Sequence, residues 1–240
     1  MNLAWIPNSI TMGNLLFGFF SIVFASRGEF AQAGFSILFA ALLDGLDGQV
    51  ARVLKVSSKL GAELDSLADC VTFGVAPGYL VFNAYLSDFY LVLGQKPFFA
   101  GMVIAVIFPI CAAYRLARFN VVHEPASFSG LPSPIAGIVV ALLPIAISDP
   151  AYIRNHQIQF VPAYILIALL MVSTVKFSKP QAVVLKKIYG IRLVIFTVIV
   201  ISLCFIFRKW IMFILIGLIA IYIISGLIMF IIQFIQDHRY

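Results

Sequence analysis

The sequence predicts an all-α fold: a polytopic bundle of membrane-spanning helices. Of its 240 residues, 62% are hydrophobic and only 11% are charged, and the mean hydropathy is +1.07. A soluble domain of this length could not bury so much apolar surface. The apolar segments run for about 20 residues without alternating with polar ones, which is the length of a spanning α-helix. We therefore expect the lipid bilayer as a partner and no nucleic acid, despite the net charge of +6.

About eight transmembrane helices are predicted, and short polar or Pro/Gly-containing breaks set their ends. The break at 27–29 separates the first two helices, 94–97 precedes the fourth and 148–150 ends the fifth. Arg208-Lys209 is so short a break that the last two helices are expected to form a tight hairpin. The predicted helices are 9–26, 30–54, 62–86, 97–119, 133–149, 160–176, 190–207 and 210–235.

The basic residues predict the orientation. Of the 16 lysines and arginines, 11 fall on one side of the eight-helix arrangement, and the other side receives Arg27, Lys96, Arg154, Arg208 and Lys209. The positive-inside rule places the richer side in the cytoplasm. Both termini and the segment 44–69 are then cytoplasmic, in a multi-pass protein of the inner (cytoplasmic) membrane. A seven-helix count would move the C-terminus outside and leave the first four helices unchanged. The start of the chain lacks the basic region of a signal peptide, so the first helix is expected to be retained.

Four aspartates in the segment 44–69 are the strongest functional signal. Asp44 and Asp47 are spaced i, i+3, and Asp65 and Asp69 are spaced i, i+4, so each pair falls on one helix face. Carboxylates at membrane depth are costly unless neutralised. One or two divalent cations, Mg²⁺, Mn²⁺ or Ca²⁺, suit such oxygen ligands. One alternative is a salt-bridge network with Arg52. An EF-hand loop fails, because the ligands do not alternate.

Small residues accompany the aspartates. Gly48 and Ala51 follow the first pair and Gly61 precedes the second. Such residues allow close helix packing in membranes, and beside a metal they also let a phosphorylated group approach the backbone. Metals that bridge phosphate oxygens, with a carboxylate left to take a proton, form a phosphoryl-transfer centre.

At this point the segment resembles a known family. The CDP-alcohol phosphotransferase signature is matched at every fixed position by Asp44-x2-Asp47-Gly48-x2-Ala51-Arg52-x8-Gly61-x3-Asp65-x3-Asp69. The resemblance implies transfer of a substituted phosphate from a CDP-alcohol to a second alcohol, with release of CMP. It also implies a six-helix core, a homodimer, and a single domain over 1–240 with accessory helices at about 190–235.

Roles for individual residues follow from the resemblance. Asp44, Asp47 and Asp65 would be the principal ligands of Mg or Mn, with two ions expected. Asp69 would share in metal binding and act as the general base. The residues expected to line the site for the cytidine diphosphate are Gly48, Ala51, Arg52 and Gly61.

Four further segments, 6–22, 65–78, 114–120 and 128–137, resemble the branch of the family that uses L-serine as acceptor and CDP-diacylglycerol, or an ether-lipid equivalent, as donor. An arginine can grip the serine carboxylate with two hydrogen bonds. The acceptor-site candidates are Arg115, Arg118, Asn120, Ser129 and Ser133. These arginines also suit lipid phosphates or a helix end, and the serines suit a helix cap.

Three alternatives remain open. Glycerol 3-phosphate or inositol phosphate would serve the same chemistry as acceptors, with a denser cationic pocket. A divalent-cation transporter would use the aspartates as its path, although no internal repeat of the transporter kind is evident. The basic connector at 176–190 suits either a solvated loop near anionic headgroups or a contact with substrate.

Overall fold

The computed structural model describes residues 3–56, 58–93, 96–121, 128–147 and 149–177, together with Gly217 and Ile224. The α-helices in this part of the chain are α1 Trp5–Ser26, α2 Phe30–Leu54, α3 Lys59–Cys70, α4 Ala76–Val81, α5 Ala100–Val121, α6 Ser133–Ala146, α7 Pro150–Asn155 and α8 Gln157–Val172. The strands are β1 Tyr90–Leu93, β2 Lys96–Phe99, β3 Phe128–Ser129 and β4 Lys176–Phe177. The helices predicted at 190–207 and 210–235 lie outside the described residues.

Helices α3 and α4 belong to one continuous helix, Lys59–Leu86, called the long helix below. Two π-helical segments, Val71–Val75 and Phe82–Leu86, interrupt its α-helical geometry. The first lies just before Pro77, which has no N–H with which to continue the α-helical ladder. A π-helical turn is a common way for a helix to absorb such an interruption without breaking.

The predicted membrane helix bundle is confirmed for the described residues. Three helices there are long and apolar enough to cross a membrane: α1, the long helix and α5. Helices α6 and α8 are apolar but shorter. Helix α2 has 25 residues, a length of about 37 Å at the usual helical rise. It carries the first pair of aspartates near its C-terminal end.

Helix α1 packs through a stripe of small and polar residues. Its buried positions recur every three or four residues and are Pro7, Thr11, Asn14, Gly18, Ser21 and Ala25. The approach is so close at Gly18 that an added Cβ would collide with the side chain of Thr72 in the first π-helical segment. The close packing brings the polar groups of α1 against the helices that carry the aspartates.

A hydrogen bond links α8 to α5 at the point where a proline interrupts the hydrogen bonds of α5. Pro109 lies inside α5 and removes the usual N–H partner of the Ala105 carbonyl. The hydroxyl of Tyr164, on α8, donates to that carbonyl at 2.9 Å. Tyr164 is only 1% exposed, so this hydrogen bond is made inside the bundle.

The far end of the long helix is capped by α7 and α8. The Arg154 side chain donates from Nε to the Ala84 carbonyl at 2.9 Å, and Gln157 donates to the Tyr85 carbonyl at 2.7 Å. The last carbonyls of a helix have no partner within the helix. These two side chains therefore tie α7 and α8 to the end of the long helix that is remote from the aspartates.

Two strand pairs correct the prediction of helix alone. Strands β1 and β2 form an antiparallel hairpin in which Tyr90 pairs with Phe99. The helix predicted from residue 97 therefore begins at Ala100. Strand β3 pairs with β4, and the helix predicted to reach residue 176 ends at Val172. In both strand pairs two aromatic residues face each other, Tyr90 with Phe99 and Phe128 with Phe177, and strands accept aromatic residues readily.

The junction between β3 and α6 depends on a glycine. Gly130 has φ +86° and its N–H donates to the Val175 carbonyl at 2.8 Å. An added Cβ there would collide with the Met171 backbone carbonyl. The turn therefore needs glycine on both counts, and it holds the start of α6 against the end of α8.

Candidate active site

A tight turn between α2 and α3 brings the two aspartate pairs together. Lys55 ends α2 in the left-handed conformation, at φ 52°. Ser58 is the N-cap of α3, and its hydroxyl accepts a hydrogen bond from the Gly61 N–H at 2.9 Å. The chain reverses between α2 and α3, so carboxylates on the second half of α2 face those on α3.

The four predicted aspartates meet at this reversal. One carboxylate oxygen from each of Asp44, Asp47 and Asp65 lies within 4.8 Å of the other two. Asp69 is not a member of that group of three, but it interacts electrostatically with Asp44 and Asp65. Asp47 and Asp69 are only 6% and 8% exposed. The carboxylates thus form a compact and largely desolvated cluster.

Helix α1 contributes two polar side chains that the sequence analysis did not single out. The Thr11 hydroxyl lies 2.6 Å from Asp47 Oδ2. The Asn14 amide donates from Nδ2 to Asp69 Oδ1 at 3.3 Å. Each group therefore contacts an aspartate on a different helix. Two polar residues spaced three apart in an apolar membrane helix are a sign of a functional site, and this spacing could have identified Thr11 and Asn14 from the sequence.

One oxygen in the cluster lacks a partner. Asp65 Oδ1 is buried and makes no hydrogen bond to the described residues. A buried carboxylate oxygen without a donor is costly unless a cation or a protonated group contacts it. The carboxylate set is thus suited to a hard divalent cation, which takes oxygen ligands of this kind.

A cavity of about 190 Å³ adjoins the carboxylates. Its walls come from the start of α1, the second half of α2 and the first turns of α3. Asp47 and Asp65 line it, as do three of the predicted cytidine-diphosphate residues, Gly48, Ala51 and Gly61. The structure therefore places a small-residue wall and a carboxylate cluster on the same cavity.

The two glycines of this wall have different surroundings. An added Cβ at Gly48 would meet nothing within 4 Å, so that position faces open space. At Gly61 the same atom would lie 2.9 Å from Asn8 Oδ1. Gly48 thus leaves room in the cavity, whereas Gly61 allows α1 to approach α3.

Arg52, the fourth predicted cytidine-diphosphate residue, does not line the cavity. Its side chain is exposed and donates from Nε to the Gly48 carbonyl at 3.0 Å. The guanidinium therefore lies next to a residue of the cavity wall, on the outside of α2.

Among the acceptor candidates, Arg115 and Ser133 meet in the interior. The Arg115 guanidinium donates from Nη1 to the Ser133 hydroxyl at 2.7 Å, and the two residues are 7% and 0% exposed. Arg115 also acts electrostatically on Asp44 and Asp69. The structure thus joins the end of α5 and the start of α6 to the aspartate cluster.

The other acceptor candidates contact different partners. Arg118 donates to the carbonyls of Val172 and Ser173, at 2.8 and 3.2 Å, and so closes the end of α8. The Asn120 amide donates to the Ser66 hydroxyl at 2.9 Å, which ties α5 to α3. Ser129 lies in β3, beside the glycine turn.

Comparison with known proteins matches the sequence of this chain to one family. The family model for CDP-alcohol phosphatidyltransferase covers residues 4–175. This chain belongs to the CDP-alcohol phosphatidyltransferase family. A CDP-diacylglycerol–serine O-phosphatidyltransferase of Helicobacter pylori (strain ATCC 700392 / 26695) is 34% identical over 205 residues, which are 83% of this chain and 81% of that protein. Proteins of the same name from Methanocaldococcus jannaschii and Bacillus subtilis (strain 168) are each 36% identical, over 72% and 58% of this chain and 74% and 75% of their own.

The part matched to the CDP-alcohol phosphatidyltransferase family contains every residue that builds the site. It begins at residue 4, before Thr11 and Asn14, and ends at residue 175, beyond Ser133. The predicted helices at 190–207 and 210–235 lie beyond it. The four aspartates, Thr11, Asn14, Arg115 and Ser133 therefore all lie within the part of the chain that matches the family.

Proposed function

We propose that this chain transfers the phosphatidyl group of CDP-diacylglycerol to the hydroxyl of L-serine, giving phosphatidylserine and CMP. The observation that carries the proposal is the meeting of Asp44, Asp47, Asp65 and Asp69 beside a cavity walled by small residues. The relatives named for serine as acceptor support that choice of second substrate.

In this proposal, Asp44, Asp47 and Asp65 hold one or two divalent cations, Mg²⁺ or Mn²⁺. When bound, such ions neutralise the negative charge of a diphosphate and of the transition state. The glycine and alanine wall at Gly48 and Ala51 lets the cytidine diphosphate approach the backbone of α2. The guanidinium of Arg52, exposed beside Gly48, is placed to contact a phosphate from the rim.

Asp69 is the general base in the proposed reaction. Its carboxylate takes the proton of the serine hydroxyl, and the serine oxygen attacks the phosphorus that bears diacylglycerol. The bond from this phosphorus to the CMP oxygen breaks in line, and CMP leaves with the electron pair. Asp69 is buried and lies beside Asp44, so it is held close to where the phosphate would bind.

Arg115 and Ser133 are the proposed acceptor-side pair. Their hydrogen bond holds a guanidinium, whose planar fork matches the geometry of a carboxylate, at the start of α6. Arg118 and Asn120, in contrast, are engaged in closing α8 and in joining α5 to α3. We propose that these two shape the acceptor site indirectly.

The cellular setting is also proposed. We propose that the carboxylate cluster lies at the cytoplasmic face of the inner membrane, where serine and divalent cations are available, and the excess of basic residues on that side supports this orientation. CDP-diacylglycerol, or an ether-lipid equivalent, enters from the bilayer. The functional unit is a homodimer.

One experiment tests the reaction. Purified protein is incubated with CDP-diacylglycerol and Mg²⁺ or Mn²⁺, and CMP release is measured with serine, glycerol 3-phosphate or inositol phosphate. CMP release that depends on serine supports the proposal. If CMP is released with glycerol 3-phosphate or inositol phosphate but not with serine, that acceptor and not serine is the second substrate. Metal flux into liposomes, in the absence of any CMP release, would favour a transporter.

A further inference from the structure

Asn14 on α1 is a buried polar residue with no assigned role. It is 0% exposed, in a helix that is otherwise mostly apolar. Its Nδ2 donates to Asp69 Oδ1 at 3.3 Å, and its Oδ1 is buried without a partner among the described residues. A buried amide of this kind is costly, so its retention beside the candidate base requires an explanation.

The backbone around Asn14 is fixed on two sides. The hydroxyl of Thr72, in the first π-helical segment, donates to the Asn14 carbonyl at 3.2 Å. One turn further along α1, Gly18 contacts the same threonine so closely that no Cβ fits there. The amide of Asn14 is therefore presented to Asp69 from a position that has little freedom to move.

The side-chain amide of Asn14 is a suitable hydrogen-bond donor to a carboxylate that acts as a general base. An amide N–H is a neutral donor, so it fixes one carboxylate oxygen without placing a full positive charge against it. With Oδ1 held by Asn14, the rotation of the Asp69 carboxylate is restricted. Thr11 stands in the same relation to Asp47, at 2.6 Å, one turn earlier on α1.

We propose that Asn14 is a positioning residue that orients the carboxylate of Asp69 for proton transfer. This inference rests on the proposed function, in which Asp69 is the base. Helix α1 thereby acts as a template that aligns one carboxylate from α2 and one from the long helix. Partners that orient reactive or metal-binding groups typically contribute about 10- to 100-fold to activity, and we expect a loss of that size without Asn14.

The test replaces Asn14 with leucine, which has a similar shape and no donor, and with alanine, which is small enough to be accommodated if leucine prevents folding. The matched control is Ser21→Ala, because Ser21 lies on the same buried stripe of α1 and its hydroxyl has no partner among the described residues. Thr72→Val removes the contact with the Asn14 backbone but leaves the amide in place. Each variant is compared with the unchanged protein in thermal unfolding, in binding of CDP-diacylglycerol and in kcat and KM.

We expect N14L or N14A to lower kcat by about 10- to 100-fold, with binding of CDP-diacylglycerol close to that of the unchanged protein. S21A should keep kcat within about twofold of the unchanged protein, because Ser21 does not touch Asp69. T72V should lower kcat less than N14A does, because the Asn14 amide keeps its contact with Asp69. The proposal is overturned if N14A keeps its kcat, if T72V loses as much as N14A, or if kcat falls only in step with CDP-diacylglycerol binding.

The choice of acceptor is separated from this result. If the unchanged protein releases CMP with glycerol 3-phosphate and not with serine, the proposed acceptor is wrong, and the same variants are compared with glycerol 3-phosphate. Absence of CMP release with every acceptor would overturn both the proposed function and the role of Asn14.

Discussion

At the scale of single residues, the four aspartates differ in what surrounds them. Asp44, Asp47 and Asp65 converge on one point, and one buried oxygen of Asp65 has no partner in the part of the chain that the structure describes. Asp69 stands beside this group, and the Asn14 amide donates to its Oδ1. The difference in surroundings agrees with a division of labour between cation binding and proton transfer.

Asp69→Asn tests that division. The amide keeps the shape of the side chain and an oxygen for Asn14, but it cannot take a proton. We expect CMP release to fall by about 100-fold or more, since general bases contribute about 10²- to 10⁴-fold. Binding of CDP-diacylglycerol in the presence of Mg²⁺, measured by calorimetry, should change little.

The comparison variant for Asp69 is Asp65→Asn. It removes a carboxylate from the group of three and should weaken metal-dependent binding of CDP-diacylglycerol as well as turnover. Full activity of D69N would eliminate Asp69 as the base.

Gly48→Ala tests the cavity wall. The added methyl group contacts nothing within 4 Å in the protein itself, so it would occupy the cavity. Replacing glycine within a helix by alanine stabilises it by up to about 1 kcal/mol. We therefore expect thermal stability to be kept or raised, while KM for CDP-diacylglycerol rises severalfold.

Gly45→Ala is the matched control for Gly48→Ala. Gly45 lies on the same helix and also has nothing within 4 Å of an added Cβ, but it does not line the cavity. It should gain stability without a change in KM. Equal KM values for the two variants would mean that this cavity does not receive the donor substrate.

At the scale of helices and strands, the sequence predicts those features that depend on local sequence pattern alone, such as where a helix ends. Helices predicted to end at 26, 54 and 86 do end at Ser26, Leu54 and Leu86, because polar or glycine-containing breaks follow them. The aspartate cluster was predictable because helical spacing fixes which side chains share a face. These features need no knowledge of the tertiary contacts.

Features that depend on tertiary packing were not predictable. The contact of Asn14 with Asp69 depends on the rotation and depth of α1, which the approach of Gly18 to Thr72 sets. Arg118 donates to the Val172 carbonyl because α8 ends next to α5, and the sequence does not show this proximity. The β1–β2 hairpin consists largely of apolar residues, which a strand and the start of a membrane helix share.

Tyr164→Phe tests the junction between α5 and α8. The substitution keeps the buried ring and leaves the Ala105 carbonyl, opposite Pro109, without a donor. An unsatisfied buried carbonyl costs about 1–3 kcal/mol, so we expect the free energy of unfolding in detergent to fall by about that amount. The KM values should be unchanged, since Tyr164 does not line the cavity.

Tyr85→Phe is the control for Tyr164→Phe. Tyr85 is also fully buried, but its hydroxyl has no hydrogen-bond partner among the described residues. Its removal should therefore leave stability unchanged or raise it. Equal destabilisation by the two variants would show that loss of the hydroxyl, and not of the hydrogen bond, is responsible.

At the scale of the whole molecule, the two ends of the long helix have different surroundings. Its 28 residues span about 40 Å, more than the hydrocarbon thickness of a bilayer. The carboxylates and their cavity lie near Lys59, at its start. The β1–β2 hairpin and the side chains of Arg154 and Gln157 lie at its end. The two ends should therefore face opposite sides of the membrane.

Labelling with a membrane-impermeant maleimide tests which end faces the cytoplasm. In a background without Cys70, Cys111 and Cys204, single cysteines replace Lys59, which is exposed at the start of the long helix, and Tyr90, which is 56% exposed in β1. Because most lysines and arginines lie on the side of the aspartates, we expect K59C to react only in inside-out vesicles and Y90C only in intact cells. The reverse pattern would place the carboxylates outside, away from cytosolic serine, and would contradict both the orientation and the source proposed for the acceptor.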